Sequence, residues 1–151
     1  MGVALGGGLS YLAQLTAGRQ ADRREGRRQA AELAEARRVE RLELLREFVS
    51  LAQQAARIAE ERDTAPDWDA AGTPEWFAAA RSATDRLWVS ERMIQVLFRP
   101  ELHRRARAYA DAVDHVLWRE PAEASAEGPV WDYLQAPRID FLEAARAEAG
   151  S

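Results

Sequence analysis

Apolar residues recur along most of this chain at intervals of three and four, the spacing that gathers them on one side of an α-helix. In residues 42–60 two such rows run side by side. One is Leu42, Leu45, Val49, Ala52, Ala56 and Ala59; the other is Leu44, Phe48, Leu51, Ala55 and Ile58. The stripe is wider than a coiled-coil seam, so this segment is expected to pack inside a bundle. Residues 19–40 are mostly charged, with scattered Ala, and are expected to be exposed. Pro66, Gly72 and three Asp interrupt the pattern within 63–73 and predict a loop. Thr73 then offers an N-cap, Pro74 the first helical position and Glu75 an acid in the first turn.

A second helix is predicted from there to about Phe98. Its buried face comprises Trp76, Ala80, Ala83, Leu87, Ile94 and Leu97, widened by Trp88, Met93 and Phe98. Pro100 ends it, because the residue before a proline avoids helical geometry. A third helix carries Leu102, Ala106, Tyr109, Val113 and Val116, with Leu117 alongside, and stops before Pro121. Residues 120–129 are acidic and small and predict a loop. Residues 130–149 predict two short helical pieces parted by Pro137, docked on the bundle through Trp131, Tyr133, Leu134, Ile139, Phe141 and Leu142. No repeat and no alternating strand pattern is present.

Residues 2–17 contain no charge, whereas Gly18 to Arg28 carry a net +3. An uncharged run followed by positive residues is the pattern of a membrane segment whose flank stays in the cytoplasm. As a helix the run reaches about 25 Å, against a hydrocarbon core of about 30 Å. Gly2, Gly6 and Ser10 stand four apart, a spacing of small residues that lets membrane helices approach and associate. Arg19, Arg23 and Arg27 form one row on a helix, and Arg24 and Arg28 another. Like charges so placed repel; anionic lipid headgroups would relieve the repulsion, at about 1 kcal/mol for each Arg. Two other settings for residues 2–17 remain: packing on a partner protein, or a disordered or signal-like start. A cleaved signal peptide fits poorly, because the positive cluster follows the apolar run.

The expected fold is therefore all-α. An N-terminal membrane-seeking helix (1–17) continues through an Arg-rich juxtamembrane helix (18–41) into a long amphipathic helix. That helix packs in a small antiparallel helical bundle (42–151), with loops near 63–73 and 119–129.

Composition narrows the chemistry. Among 151 residues there are 31 Ala and 21 Arg, and no Cys, Lys or Asn. No disulfide, thiol nucleophile or Cys-ligated metal is available. The formal net charge of −4 gives nucleic acid no general attraction, and nucleic acid is not an expected partner. Residues 18–62 carry a net +2 and residues 63–151 a net −6, the polarity of a protein standing on an anionic membrane.

His103 and His115 lie about 18 Å apart along a helix and cannot share a metal. His115 has Asp111 one turn earlier as a ready hydrogen-bond partner. No phosphate-binding Gly loop, zinc motif or nucleophile elbow occurs, so no cofactor, metal or catalytic residue is expected. Of the five Trp, Trp76 and Trp88 read as core. Trp68 and Trp118, near loop edges, are the candidates for a partner contact.

The run Ser90–Leu117, with Leu97, Phe98, Arg99 and Pro100 before a helix from Glu101, resembles a segment of small uncharacterised actinobacterial membrane-anchored helical proteins. The resemblance implies an anchor and an actinobacterial source, and no functional residue. Together these observations lead to an expected membrane-attached helical scaffold or protein-interaction module on the cytoplasmic face of the cell membrane. It would be single-pass, with a protein partner or a homo-oligomer. The alternative is a soluble helical assembly or binding module, of a phage or plasmid type, whose apolar N-terminus packs on a partner protein.

Overall fold

The computed structural model describes residues 6–65, 68 and 73–149; of residues 6–22 and of Pro121 it describes the backbone alone. Among these residues every element is an α-helix: α1 (Gly6–Thr64), α2 (Pro74–Leu97), α3 (Pro100–Trp118), α4 (Pro121–Glu127) and α5 (Val130–Ala149). The chain forms two units, one ending at Glu40 and one beginning at Arg41. In the first, every residue from Arg23 to Glu40 is exposed, Leu33 and Val39 included. That follows from its sequence, which has no stripe wide enough to cover a neighbouring helix.

The second unit is a helical bundle. From α1 it buries Leu45, Phe48, Leu51, Ala52, Ala55, Ala56 and Ala59, members of both rows read from the sequence. From α3 it buries Leu102, Ala106, Tyr109, Val113, Val116 and Leu117, all six residues of the predicted stripe. Alanines at 52, 55, 56, 80, 83, 106 and 110 let the helix backbones approach. Three rings fill the wider layer: Phe48 stands 4.9 Å from Phe141 and 6.0 Å from Tyr109, centroid to centroid. At the entry of α2, Thr73 O accepts the Phe77 N–H, and Trp76 donates its indole N–H to Ile58 O (2.9 Å), tying α2 to α1.

Two predicted segments differ. Residues 120–129 are not all loop, because Pro121–Glu127 form α4. Pro121 presets the first helical φ, Glu123 accepts the Glu120 N–H at 2.8 Å, and Gly128 ends the turn at φ +84°. Residues 130–149 are one helix, not two pieces, with Pro137 inside it. An interior proline costs about 3 kcal/mol. Val130 and Leu134 are buried before it and Phe141 after it, whereas Tyr133 and Ile139, expected to dock as well, lie off that buried strip and are exposed. At about 1.5–3 kcal/mol for each buried side chain, docking outweighs the break.

Among the described residues no helix is long and apolar enough to cross a membrane.

Candidate functional site

Two arginines lie buried where α1, α3 and α4 end. Arg62 is 5% exposed and Arg119 4%. Arg62 extends the buried row of Ala55 and Ala59 by one turn. Its guanidinium donates to Leu117 O (2.6 Å) and Val116 O (3.0 Å), carbonyls of the last turn of α3 that have no partner within the helix. It also donates to the Asp63 carboxylate at 2.6 and 2.9 Å. Arg119 donates to Asp63 (2.8 Å), Glu127 (3.2 Å) and Gly128 O (3.0 Å). His115 Nε2 lies 2.8 Å from Glu127 Oε2. The hydrogen bond from His115, reinforced by Arg119, holds the Glu127 carboxyl below its ordinary range.

The charges in this cluster are spent on one another. It is a clasp joining the ends of three helices. An adjoining cleft of about 560 Å³, lined by Glu60, Arg62, Asp63, Trp68, Ser125 and Gly128 among others, therefore finds each nitrogen of Arg62 already engaged. The sequence hid the clasp because 21 Arg look alike on paper. The available signal was position, since Arg62 continues an apolar row.

His115 pairs with Glu127, not with Asp111, which binds Arg107 instead. His103 meets Glu91 at 2.8 Å across α2 and α3, and Glu91 is 1% exposed. Among the described residues no group of three or more His, Asp or Glu is placed to hold a metal.

Trp68 and Trp118, the partner-contact candidates, belong to one aromatic group. Trp76 stands between them, 5.5 Å from Trp68 and 5.9 Å from Trp118, and Phe77 stacks on Trp118 at 6.4 Å. Trp68 is half-buried, whereas Trp118 is 39% exposed and donates its N–H to Thr84. Much of each ring is thus covered by another ring of the same chain.

Gly2 lies outside the described residues, and Gly6, Ser10 and Arg19 fall where only the backbone is described, so the expected helix-association and lipid contacts lie outside the described side chains. Arg23, Arg24, Arg27 and Arg28 are exposed and form no ion pair with a described residue.

The least satisfied surface lies on α2. Met93 and Leu97 were expected in the core, but both are exposed. With Val89 and Val96 they form a patch at positions i, i+4, i+7 and i+8. Val96 is 75% exposed and Val89 66%. The physical reason is that α2 buries only the strip of Ala80, Ala83, Leu87, Ser90, Glu91 and Ile94. Its apolar stripe is wider than its neighbours cover. A cleft of about 250 Å³, lined by Leu44, Glu47, Asp85, Arg86, Val89, Ser90 and Met93, continues the patch toward α1.

A second apolar concavity, of about 450 Å³, runs between α1 and α5. Leu42, Leu45 and Val49 form one wall, and Phe141, Leu142 and Ala145 the other; Arg46 and Arg146 stand on its rim.

Comparison with known proteins gives no relative: no family model, curated protein or solved structure matches this chain.

Proposed function

We propose that this chain is a helical protein-interaction module that docks another protein on the exposed face of α2. The carrying observation is the contiguous patch of Val89, Met93, Val96 and Leu97 beside the Leu44 cleft. Holding four large apolar side chains in water on one helix face is unfavourable, and such a patch marks an interaction site more often than chance exposure does. Two turns of helix beside a cleft suit a helix-in-groove contact. The test is a photo-reactive amino acid at Val96, with Arg104 on α3 as an equally exposed control, irradiated in the cell of origin. A discrete adduct from Val96 alone is expected, lost when Val89→Glu is added. Equal labelling from both positions would refute the proposal.

Attachment to an anionic membrane surface through the N-terminal segment is favoured by a different observation: Arg23, Arg24, Arg27 and Arg28 are all exposed and without an acidic partner among the described residues. Four such side chains near phosphatidylglycerol vesicles would add about 1 kcal/mol each. The chain should sediment with such vesicles and not with phosphatidylcholine, and the fourfold Arg→Gln variant should stay in the supernatant. Equal sedimentation of variant and parent would remove the arginines from the account.

A further inference from the structure

We propose that the groove between α1 and α5 receives one amphipathic helix of a partner protein, apolar on its inner face and flanked by Asp and Glu. This surface is separate from the α2 patch. Its walls are aliphatic and aromatic: Leu42, Leu45 and Val49 from α1, and Phe141, Leu142 and Ala145 from α5. Both walls are helices whose backbone groups are already bonded along their own axes. An occupant therefore finds no backbone partner in the groove and must satisfy its own, which a helix does. From Leu42 to Gln53 the α1 wall is about 17 Å long, room for about three helical turns.

The rim decides the charge. Arg46 comes from the α1 side of the groove and Arg146 from the α5 side, and no acid is among the described lining residues. Both arginines are exposed, and neither pairs with a described carboxylate. Carboxylates on the two flanks of an incoming helix would meet them, in competition only with exposed acids of the same helices, Glu43 and Glu47 near Arg46 and Glu143 near Arg146. A second copy of this chain matches the rim less well. Its exposed α2 face mixes Asp85 with Arg86 and Arg92, and its exposed helix of residues 23–40 mixes Glu25, Glu32, Glu35 and Glu40 with Arg23, Arg24, Arg27, Arg28, Arg37 and Arg38. Neither brings acids alone to both flanks.

The experiment uses the full chain and a display library of helical peptides with a fixed apolar row at i, i+3, i+4 and i+7 and randomised flanks. Enrichment of peptides with Asp and Glu on both flanks is expected. An enriched peptide, followed by fluorescence anisotropy, should bind about fivefold more weakly to the Arg46→Glu/Arg146→Glu variant, since each exposed ion pair is modest. Its Lys-flanked counterpart should gain. Both substituted sites are exposed, so folding is retained, as circular dichroism would verify. Ala145→Trp, which fills the groove, should abolish binding, while Val89→Glu/Val96→Glu should not, so this test and that of the α2 patch fail independently. No enrichment, enrichment without acidic bias, or binding indifferent to the Arg46→Glu/Arg146→Glu change would overturn the proposal. So would a chain dimer in light scattering that the same change dissolves.

Discussion

Replacing Arg119 with Met keeps the length of the side chain and removes its charge and its donors. The guanidinium is fully buried, so the loss is not diluted by water. The bond to Asp63 at 2.8 Å, made between charged groups, contributes about 2 kcal/mol, and the bond to Gly128 O at 3.0 Å about 1 kcal/mol. The Glu127 arm lies at the solvent, keeps His115 and is left out of the sum. Asp63 keeps Arg62, so no carboxylate is stranded, and the full penalty for breaking a buried ion pair is not reached. The expected loss is about 3 kcal/mol, or about 12 °C in Tm at about 4 °C for each kcal/mol in a domain of this size. Urea unfolding followed by tryptophan fluorescence measures it, because all five Trp lie in the bundle unit. Asp63→Asn closes a double-mutant cycle, with an expected coupling of about 1 kcal/mol or more. A loss below about 1 kcal/mol at unchanged denaturant slope would refute the account of Arg119 as a clasp. It would mean that desolvation cancels the attraction at this site.

Other outcomes follow from single atoms. Tyr109 is fully buried, burial raises the pKa of its hydroxyl, and Oη has no hydrogen-bond partner among the described residues. Tyr109→Phe should therefore leave stability unchanged or raise it by about 1 kcal/mol in the same urea assay, whereas a clear loss would reveal a partner. Gly128→Ala meets no atom within 4 Å, so its cost is that of a positive φ alone, about 1–2 kcal/mol. A neutral result would show that the turn relaxes. Glu127 has a lowered folded pKa, so the stability from its contact with His115 is fully present above the unfolded carboxylate value, about 4.3. That contribution is lost as pH falls through the lower folded value. Glu127→Gln should flatten the stability profile between about pH 5 and pH 3; parallel profiles for the two chains would remove Glu127 from the acid response.

How far the sequence could be read depended on how many neighbours each helix has. The stripe of α3 was legible but for the buried Ala110, because α3 lies against both α2 and α5, and its amphipathicity has one solution. The face of α2 was legible only in part. Ala80, Ala83, Leu87 and Ile94 are buried, but periodicity cannot say that no neighbour reaches Met93 or Leu97. Pro137 was a fair reason to divide α5, since the local penalty is real; the tertiary burial of Leu134 and Phe141 that overrides it comes from residues far away in sequence. The paired burial of Arg62 and Arg119 was illegible for the same reason, as their shared Asp63 lies 56 positions from Arg119. Glu127 is eight residues from Arg119, yet it reads as one acid in an acidic linker until α4 folds.

The stretch from Arg23 to Glu40 has its own consequence. Its amides are shielded only by the bonds of the helix they belong to, with no packed layer to protect them. They should exchange with deuterium through local fraying, orders of magnitude sooner than amides of residues 48–59, whose opening requires the bundle to come apart. Heating would then bleed away ellipticity gradually from the amino-terminal end, ahead of a sharp change in fluorescence. The mismatch between the two curves would record where along α1 cooperativity starts, without any folding intermediate in the bundle.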